Sequence, residues 1–317
     1  MIIIFSLFLA ILSILFCQKV FIKKKIFDKI NIRSSHNSIA TRSGGLSFFI
    51  VIFIVSVFNY LNGIELYDYS ILTPLSILFL VGLYDDINGI DFKLKFIFQI
   101  IVAKIIIDNG LIIDNLHGVF GLYEINRILA QLLTILIIVS IINAINFIDG
   151  LDGLAISITI LFIVSFQFFA LISSDFYYLT IIIITSLVPL YYFNFRNKNK
   201  VFLGDSGSYL LGGVVSVYVL YILSQDYTIK PQFDVHKIIF VISILIYPIV
   251  DLIRIFTIRV YNGKSPFLAD KNHIHHILNR YYKSHFKTTF LIIIVSSLVI
   301  ILLQLILNQK LVFLYLS

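Results

Sequence analysis

Long apolar runs alternate with short polar stretches along this chain, and the runs show no period of two. Segments such as Ile105–Ile107 and Ile181–Ile184 are continuously hydrophobic. Strands of a membrane barrel alternate apolar and polar positions instead. A helix crossing a bilayer needs about 17–25 mostly apolar residues. Ten segments meet that description: 2–22, 45–61, 67–84, 94–110, 127–145, 153–173, 176–193, 207–224, 237–258 and 288–307. The pattern predicts an all-α polytopic membrane protein of about ten transmembrane helices. The first segment lacks the positive start of a signal peptide, and Lys19, Lys23, Lys24 and Lys25 follow it. That order places the N-terminus outside and the first loop inside.

Composition agrees. Of the 317 residues, 59% are hydrophobic and 13% charged, and mean hydropathy is +1.00. An ordinary soluble domain carries about twice that share of charge, and disordered chains are poor in apolar residues. Both classes are excluded. The one cysteine, Cys17, allows no internal disulfide and reads as a packed small side chain.

The net charge of +7 would suggest nucleic acid in a soluble protein. Here its distribution points elsewhere. Loops after odd-numbered segments, with the adjacent helix ends, hold 19 of the 24 Lys and Arg residues. Basic loops face the cytoplasm, so both termini lie outside and nucleic acid is not an expected partner. Without a 20–50-residue repeat or low-complexity linker, residues 1–317 read as one integral domain.

Five polar clusters fall on that cytoplasmic side. The first is Arg33-Ser34-Ser35-His36 with Arg42-Ser43-Gly44-Gly45. It suits a phosphate or, equally, anionic lipid headgroups. The second is Asp85-Asp86, followed by Lys95 and Gln99, which share a face if the fourth helix begins near Asp91. Adjacent acids at a membrane boundary suit a divalent metal, a general base or a solvated helix end. The third runs Asn143, Asn146, Asp149-Gly150, Asp152-Gly153, with no basic residue near in sequence to neutralise the acids.

The fourth, Lys200 to Ser208, places Asp205 at the start of the eighth helix, where backbone N–H groups favour anions. Asp205 there is a metal ligand or a plain N-cap. The fifth joins Arg254 and Arg259 to Lys264, Asp270, Lys271, His273, His275 and His276. Without Cys or a helical HExxH pattern, hydrogen bonding or phosphate contact fits these histidines better than zinc. Together the clusters hold what phosphoryl transfer requires: carboxylates for a metal, cations to absorb phosphate charge, and a base. The apolar helices imply a lipid-borne acceptor.

With these residues in view, the chain resembles the polyprenyl-phosphate N-acetylhexosamine-1-phosphate transferases, glycosyltransferase family 4. Asn143–Ala155, Gly204–Ser208 and Asp85-Asp86 with Lys95 and Gln99 carry the likeness in the family's order. The last loop, Ser265-Pro266-Phe267 through His276, resembles the WecA/WbpL branch, which serves O-antigen and other surface polysaccharides. Ile39 and Thr41 stand where that family usually has prolines, and Lys271 where it usually has Arg.

The resemblance implies transfer of a sugar-1-phosphate from a UDP-N-acetyl amino sugar to undecaprenyl phosphate, releasing UMP. The expected setting is the bacterial inner (cytoplasmic) membrane, multi-pass, as a homodimer with Mg2+ (or Mn2+). It implies Asp85 as base or phosphate-activating carboxylate, or Asp85 and Asp86 as positioners of the metal or of Lys95. Asp205 is the first choice for the metal. Asp149 and Asp152 line the same space, with Asp149 a second metal candidate. Asn146 faces the nucleotide, Phe202 stacks on uracil, and Arg42 and Lys95 meet phosphates. Arg259, His273, His275 and His276 meet the pyrophosphate and the amino sugar. The alternatives are a phospho-N-acetylmuramoyl-pentapeptide transferase of peptidoglycan synthesis and, from a different class, a polyprenyl-glycan flippase.

Overall fold

In a computed structural model of the chain, the described residues are 2–27, 40–171, 176–224, 228–230, 233, 236–263, 265 and 272–306. Arg33 to His36 of the first cluster, and Lys264, Asp270 and Lys271 of the fifth, lie outside them. The architecture is helical apart from two short strands. In order it runs α1 (Ile2–Lys23), β1 (Ala40–Thr41), α2 (Gly44–Leu61), α3 (Leu72–Asn88), α4 (Phe92–Asp108), α5 (Arg127–Ile148) and α6 (Leu154–Phe169). It continues with α7 (Tyr177–Phe195), β2 (Lys200–Val201), α8 (Gly204–Ser224), α9 (Lys237–Ile244), α10 (Ile246–Tyr261), α11 (Ile274–Tyr282) and α12 (His285–Ile306).

Every predicted segment is helical, but not every one is a full span. Among the described residues, seven helices are long and apolar enough to cross a membrane. Counting the ninth segment makes eight, and it is two helices, α9 and α10, meeting at 77°. The break at Leu245 has a local cause, because Pro248 has no N–H to donate to the Ile244 carbonyl one turn back. The fourth and sixth segments form shorter helices of 17 and 16 residues.

Helix α8 is the axis of the bundle. It packs against α2, α3, α5 and α6, and most of its residues are buried. A helix apolar on all sides suits such a central place. Its small residues, including Ser206, Gly207, Gly212, Gly213 and Ser216, let neighbouring helices approach closely. Cys17 is buried in α1, as expected.

A two-stranded parallel ribbon fixes the entry to α8. Ala40 pairs with Lys200 and Thr41 with Val201. Gly44 N and Gly45 N donate to the carbonyls of Phe202 and Leu203. The residues leading into α2 are thereby tied to the segment that starts α8. The end of α3, the start of α4, the end of α5 and the start of α8 meet at this one end of the bundle.

Candidate functional site

The two acids that end α3 serve different ends. Asp86 has a fully buried side chain. Its Oδ1 accepts from Asp205 N at 2.9 Å, and its Oδ2 accepts from Ser206 N at 3.0 Å and Ser206 Oγ at 2.7 Å. Asp86 therefore caps α8 from a neighbouring helix, where a free carboxylate satisfies orphan amides and favours the positive end of the dipole. The anion at this helix start is a protein carboxylate, which takes the amides that a phosphate would use. Two glycines make the approach feasible. Gly204 has φ +74°, and a Cβ there would lie 2.6 Å from Asp86 Oδ2. A Cβ on Gly82 would lie 2.5 Å from the Asp205 carbonyl.

Asp85 turns the other way. Its Oδ1 accepts from Ile90 N at 2.7 Å and its Oδ2 from Lys95 Nζ. The same Lys95 Nζ donates to Asp205 Oδ2 at 3.1 Å. Asn146 Nδ2 reaches Ser208 Oγ at 2.8 Å and Asp205 Oδ1 at 3.4 Å. Lys95 and Gln99 do share a face. One meets the acids, and the other exchanges hydrogen bonds with Asn143 at 2.7 and 3.4 Å. Asp205 keeps 29% of its side chain exposed. Arg42 stands 3.7 Å from Asp86, with 39% of its side chain exposed.

The acids of the α5–α6 turn also part company. Asp152 Oδ2 binds Lys200 Nζ at 2.6 Å and His285 Nδ1 at 2.7 Å. Neither partner is near in sequence: Lys200 is 48 residues away and His285 is 133. Burial would raise its carboxyl, but hydrogen bonds and charge from His285 and Lys200 outweigh burial and hold it below the ordinary value. Asp149 receives no hydrogen bond or ion pair at its carboxylate among the described residues. Burial, then the charges of Asp205, Asp86 and Asp152, push it well above the usual carboxylate range.

Phe202 sits beside this pair, with Lys200 Nζ 5.1 Å from its ring centroid. Its carbonyl holds Gly44 N, so the ring stands where the start of α2 meets the segment before α8.

The histidine segment closes the site. His273 Nδ1 lies 2.7 Å from Asp251 Oδ2, and Arg259 Nη2 lies 3.5 Å from His273 Nε2. His275 Nδ1 is 3.1 Å from the Tyr247 hydroxyl. A Cβ on Gly150 would come within 2.9 Å of His275 Nε2 and 3.0 Å of His276 Cε1. The histidines therefore rest on the turn that carries Asp149. Burial, then the neighbouring histidines, hold His275 well below the ordinary imidazole value, so it is neutral. Asp251, His273 and His275 bring ligand atoms within 4.8 Å of one another. Both Asp251 oxygens are already engaged in hydrogen bonds. Sequence reasoning missed Asp251, Tyr247 and His285. Asp251 did carry a signal, as a lone acid inside an apolar run.

This geometry defines a class: a membrane-embedded helical bundle with carboxylates, Lys, Arg and His gathered at one end. The family model for glycosyl transferase family 4 matches residues 68–223. The chain is 35% identical to an undecaprenyl-phosphate alpha-N-acetylglucosaminyl 1-phosphate transferase of Pasteurella multocida, covering 86% of this chain and 76% of that one. It is 30% identical to the protein of the same name from Haemophilus influenzae, covering 80% and 72%. It is also 30% identical to a probable undecaprenyl-phosphate N-acetylglucosaminyl 1-phosphate transferase of Bacillus subtilis, covering 88% and 76%. The chain belongs to glycosyl transferase family 4.

Proposed function

We propose that the protein transfers N-acetylglucosamine-1-phosphate, or a closely related N-acetylhexosamine-1-phosphate, from a UDP-sugar to undecaprenyl phosphate. The products are UMP and the lipid diphosphate sugar that starts a surface polysaccharide such as O-antigen. An oxygen of the lipid phosphate attacks the phosphorus that bears the sugar. A new P–O bond forms there, the bond to the UMP phosphate breaks, and UMP leaves with its electron pair. The attacking phosphate is already largely ionised near neutral pH, so the site needs no strong base. That suits Asp85, whose oxygens are engaged with Lys95 and Ile90 N. In this reading Asp85 holds Lys95, and Lys95 and Arg42 meet the phosphates.

The observation that carries the proposal is the pair Asp149 and Asp205. Asp205 keeps part of its side chain exposed, the charges of the two acids repel each other, and Asp149 has no ion-pair partner among the described residues. That donor set fits one Mg2+ (or Mn2+), which takes one or two carboxylates and keeps waters. Asp205 and Asp149 would hold it, and when bound it supplies charge neutralisation across the pyrophosphate. The histidines and Arg259 face the donor, and Asn146 fixes Asp205.

The acceptor's chain has a place as well. A cavity of about 350 Å3 between α5, α8, α9 and α10 is walled by apolar residues, among them Ile141, Ala144, Ile145, Val219, Pro248 and Ile249. Ala144 and Ile145 directly precede Asn146, so a prenyl tail there would bring its phosphate to the polar end.

The proposed setting is the bacterial cytoplasmic membrane, with ten crossings, both termini outside and the site on the basic, cytoplasmic side. The shorter α4 and α6 and the bent α9–α10 count as three of those crossings. The active particle is proposed to be a homodimer, which the mass of the solubilised enzyme checks.

The full chain in lipid nanodiscs tests the reaction. UMP release from UDP-N-acetylglucosamine should require undecaprenyl phosphate and Mg2+ together. Release without the lipid, or none with any sugar of a UDP-N-acetylhexosamine panel, overturns the proposal.

A further inference from the structure

Asp251 is an acid in the middle of α10, and it is 1% exposed. A carboxylate buried this deeply is costly unless it is paired and hydrogen-bonded. Its two oxygens are divided between two partners. Oδ1 accepts from Ile274 N at 2.8 Å, the first amide of α11. His273, the residue before that helix, makes no side-chain cap of its own, so Asp251 caps α11 from outside. Oδ2 faces His273 Nδ1 at 2.7 Å.

That second contact decides a tautomer. A carboxylate only accepts, so His273 Nδ1 carries the proton. Its Nε2 is then the acceptor that faces the Arg259 guanidinium. The same face of α10 reaches the next histidine. Tyr247, Asp251, Ile255 and Arg259 are four residues apart and all buried, so they form one stripe along the helix. Tyr247 holds His275 Nδ1. The Nε2 atom of His275 is buried with no hydrogen-bond partner among the described residues, and it lies against Gly150, next to Asp149.

We infer that Asp251 is a positioning residue: through His273 it sets the tautomer and placement of the histidine segment that receives the sugar-nucleotide donor. The inference rests on the transferase reading above. Carboxylates that orient a histidine from behind typically matter about 10–100-fold when removed, as measured for metal-bound histidines.

Asp251→Asn keeps the side-chain size and one acceptor oxygen. It cannot accept from both Ile274 N and His273 Nδ1–H. The expected result is a donor KM raised about tenfold or more, with the undecaprenyl phosphate KM within twofold of wild type. His273→Gln should have the same sense. The double variant should be no worse than the poorer single one, because both act through one contact. Additive losses, equal changes in both KM values, or wild-type kinetics overturn the inference.

A readout without turnover covers the case in which Asp251→Asn fails to fold. 15N-histidine NMR of the wild-type protein, assigned with His273→Gln, should show His273 with a proton on Nδ1. A proton on Nε2 alone overturns the inference. If wild-type protein releases no UMP from any UDP-sugar, the transferase reading fails while the NMR result still decides the role of Asp251.

Discussion

The site contains two short-range pairs of acids, Asp85-Asp86 at the end of α3 and Asp149 with Asp152 in the α5–α6 turn. In each pair one carboxylate braces the scaffold, while the other either turns to Lys95 or carries no hydrogen bond among the described residues. Asp86 is fully buried and caps α8. Asp152 is locked between Lys200 and His285. Asp85 holds the lysine that reaches Asp205, and Asp149 has no such partner among the described residues. Two acids close in sequence thus do different work. What separates them is the company each keeps in space.

The largest effect should come from the open acids. Asp205→Asn should lower transferase activity by about 10³-fold or more, since neutralising phosphate charge is worth several kcal/mol. Its melting temperature should stay near that of wild type, because Ser208 still satisfies Asn146. Activity within tenfold of wild type would remove Asp205 from the metal site. Asp86→Ala should act through stability instead. It leaves the first amides of α8 unsatisfied, a loss of about 1–3 kcal/mol. Thermal unfolding in detergent should show the drop, and an unchanged midpoint would refute the capping role.

The turn acids should respond with opposite signs. Asp152 has a lowered folded pKa. Its contribution is full above the unfolded carboxylate value of about 3.9 and drains as pH falls through the folded value. Asp152→Asn should therefore lower the melting temperature at neutral pH. Asp149 has a raised folded pKa. Stability is greatest below the unfolded value and is lost as pH rises through the folded one. In metal-free buffer at neutral pH, Asp149→Asn should raise the midpoint by about 2 °C, the scale of roughly 1 kcal/mol in a chain this long. The gain should fade on acidification. Melting curves of both variants across pH that move in the same direction would break the distinction.

Much of the site was legible because its chemistry is local in sequence. Asp85, Lys95, Asn146, Asp149 and Asp205 stand in short runs whose spacing already implied one polar end. What the sequence left hidden is pairing at long range. Lys200 is 48 residues from Asp152 and His285 is 133 away, so no window along the chain could show that Asp152 is neutralised. The amides at the start of α8 favour an anion, and that anion is Asp86, 119 residues earlier than Asp205. The helices themselves followed from apolar length, whereas the bend between α9 and α10 turned on Pro248 inside an otherwise apolar run.

Helix α4 offers the same contrast in miniature, and the smallest predicted effect. At its start Lys95 is partly buried and joins two acids. Near its end Lys104 pairs with Asp108, one turn on, with about half of each side chain exposed. Both are Lys–Asp contacts, but water surrounds the second and screens it. Exposed i,i+4 pairs contribute about 0.3–0.5 kcal/mol. Lys104→Ala should therefore leave kcat and both KM values unchanged and move the melting midpoint by about 1 °C at most. Lys95→Ala should cost activity at the same protein yield, because it removes the cation between Asp85 and Asp205. If the two variants lose activity equally, the lysine's place at the polar end of the bundle does not matter, and the assignment of Lys95 to the phosphates falls with it.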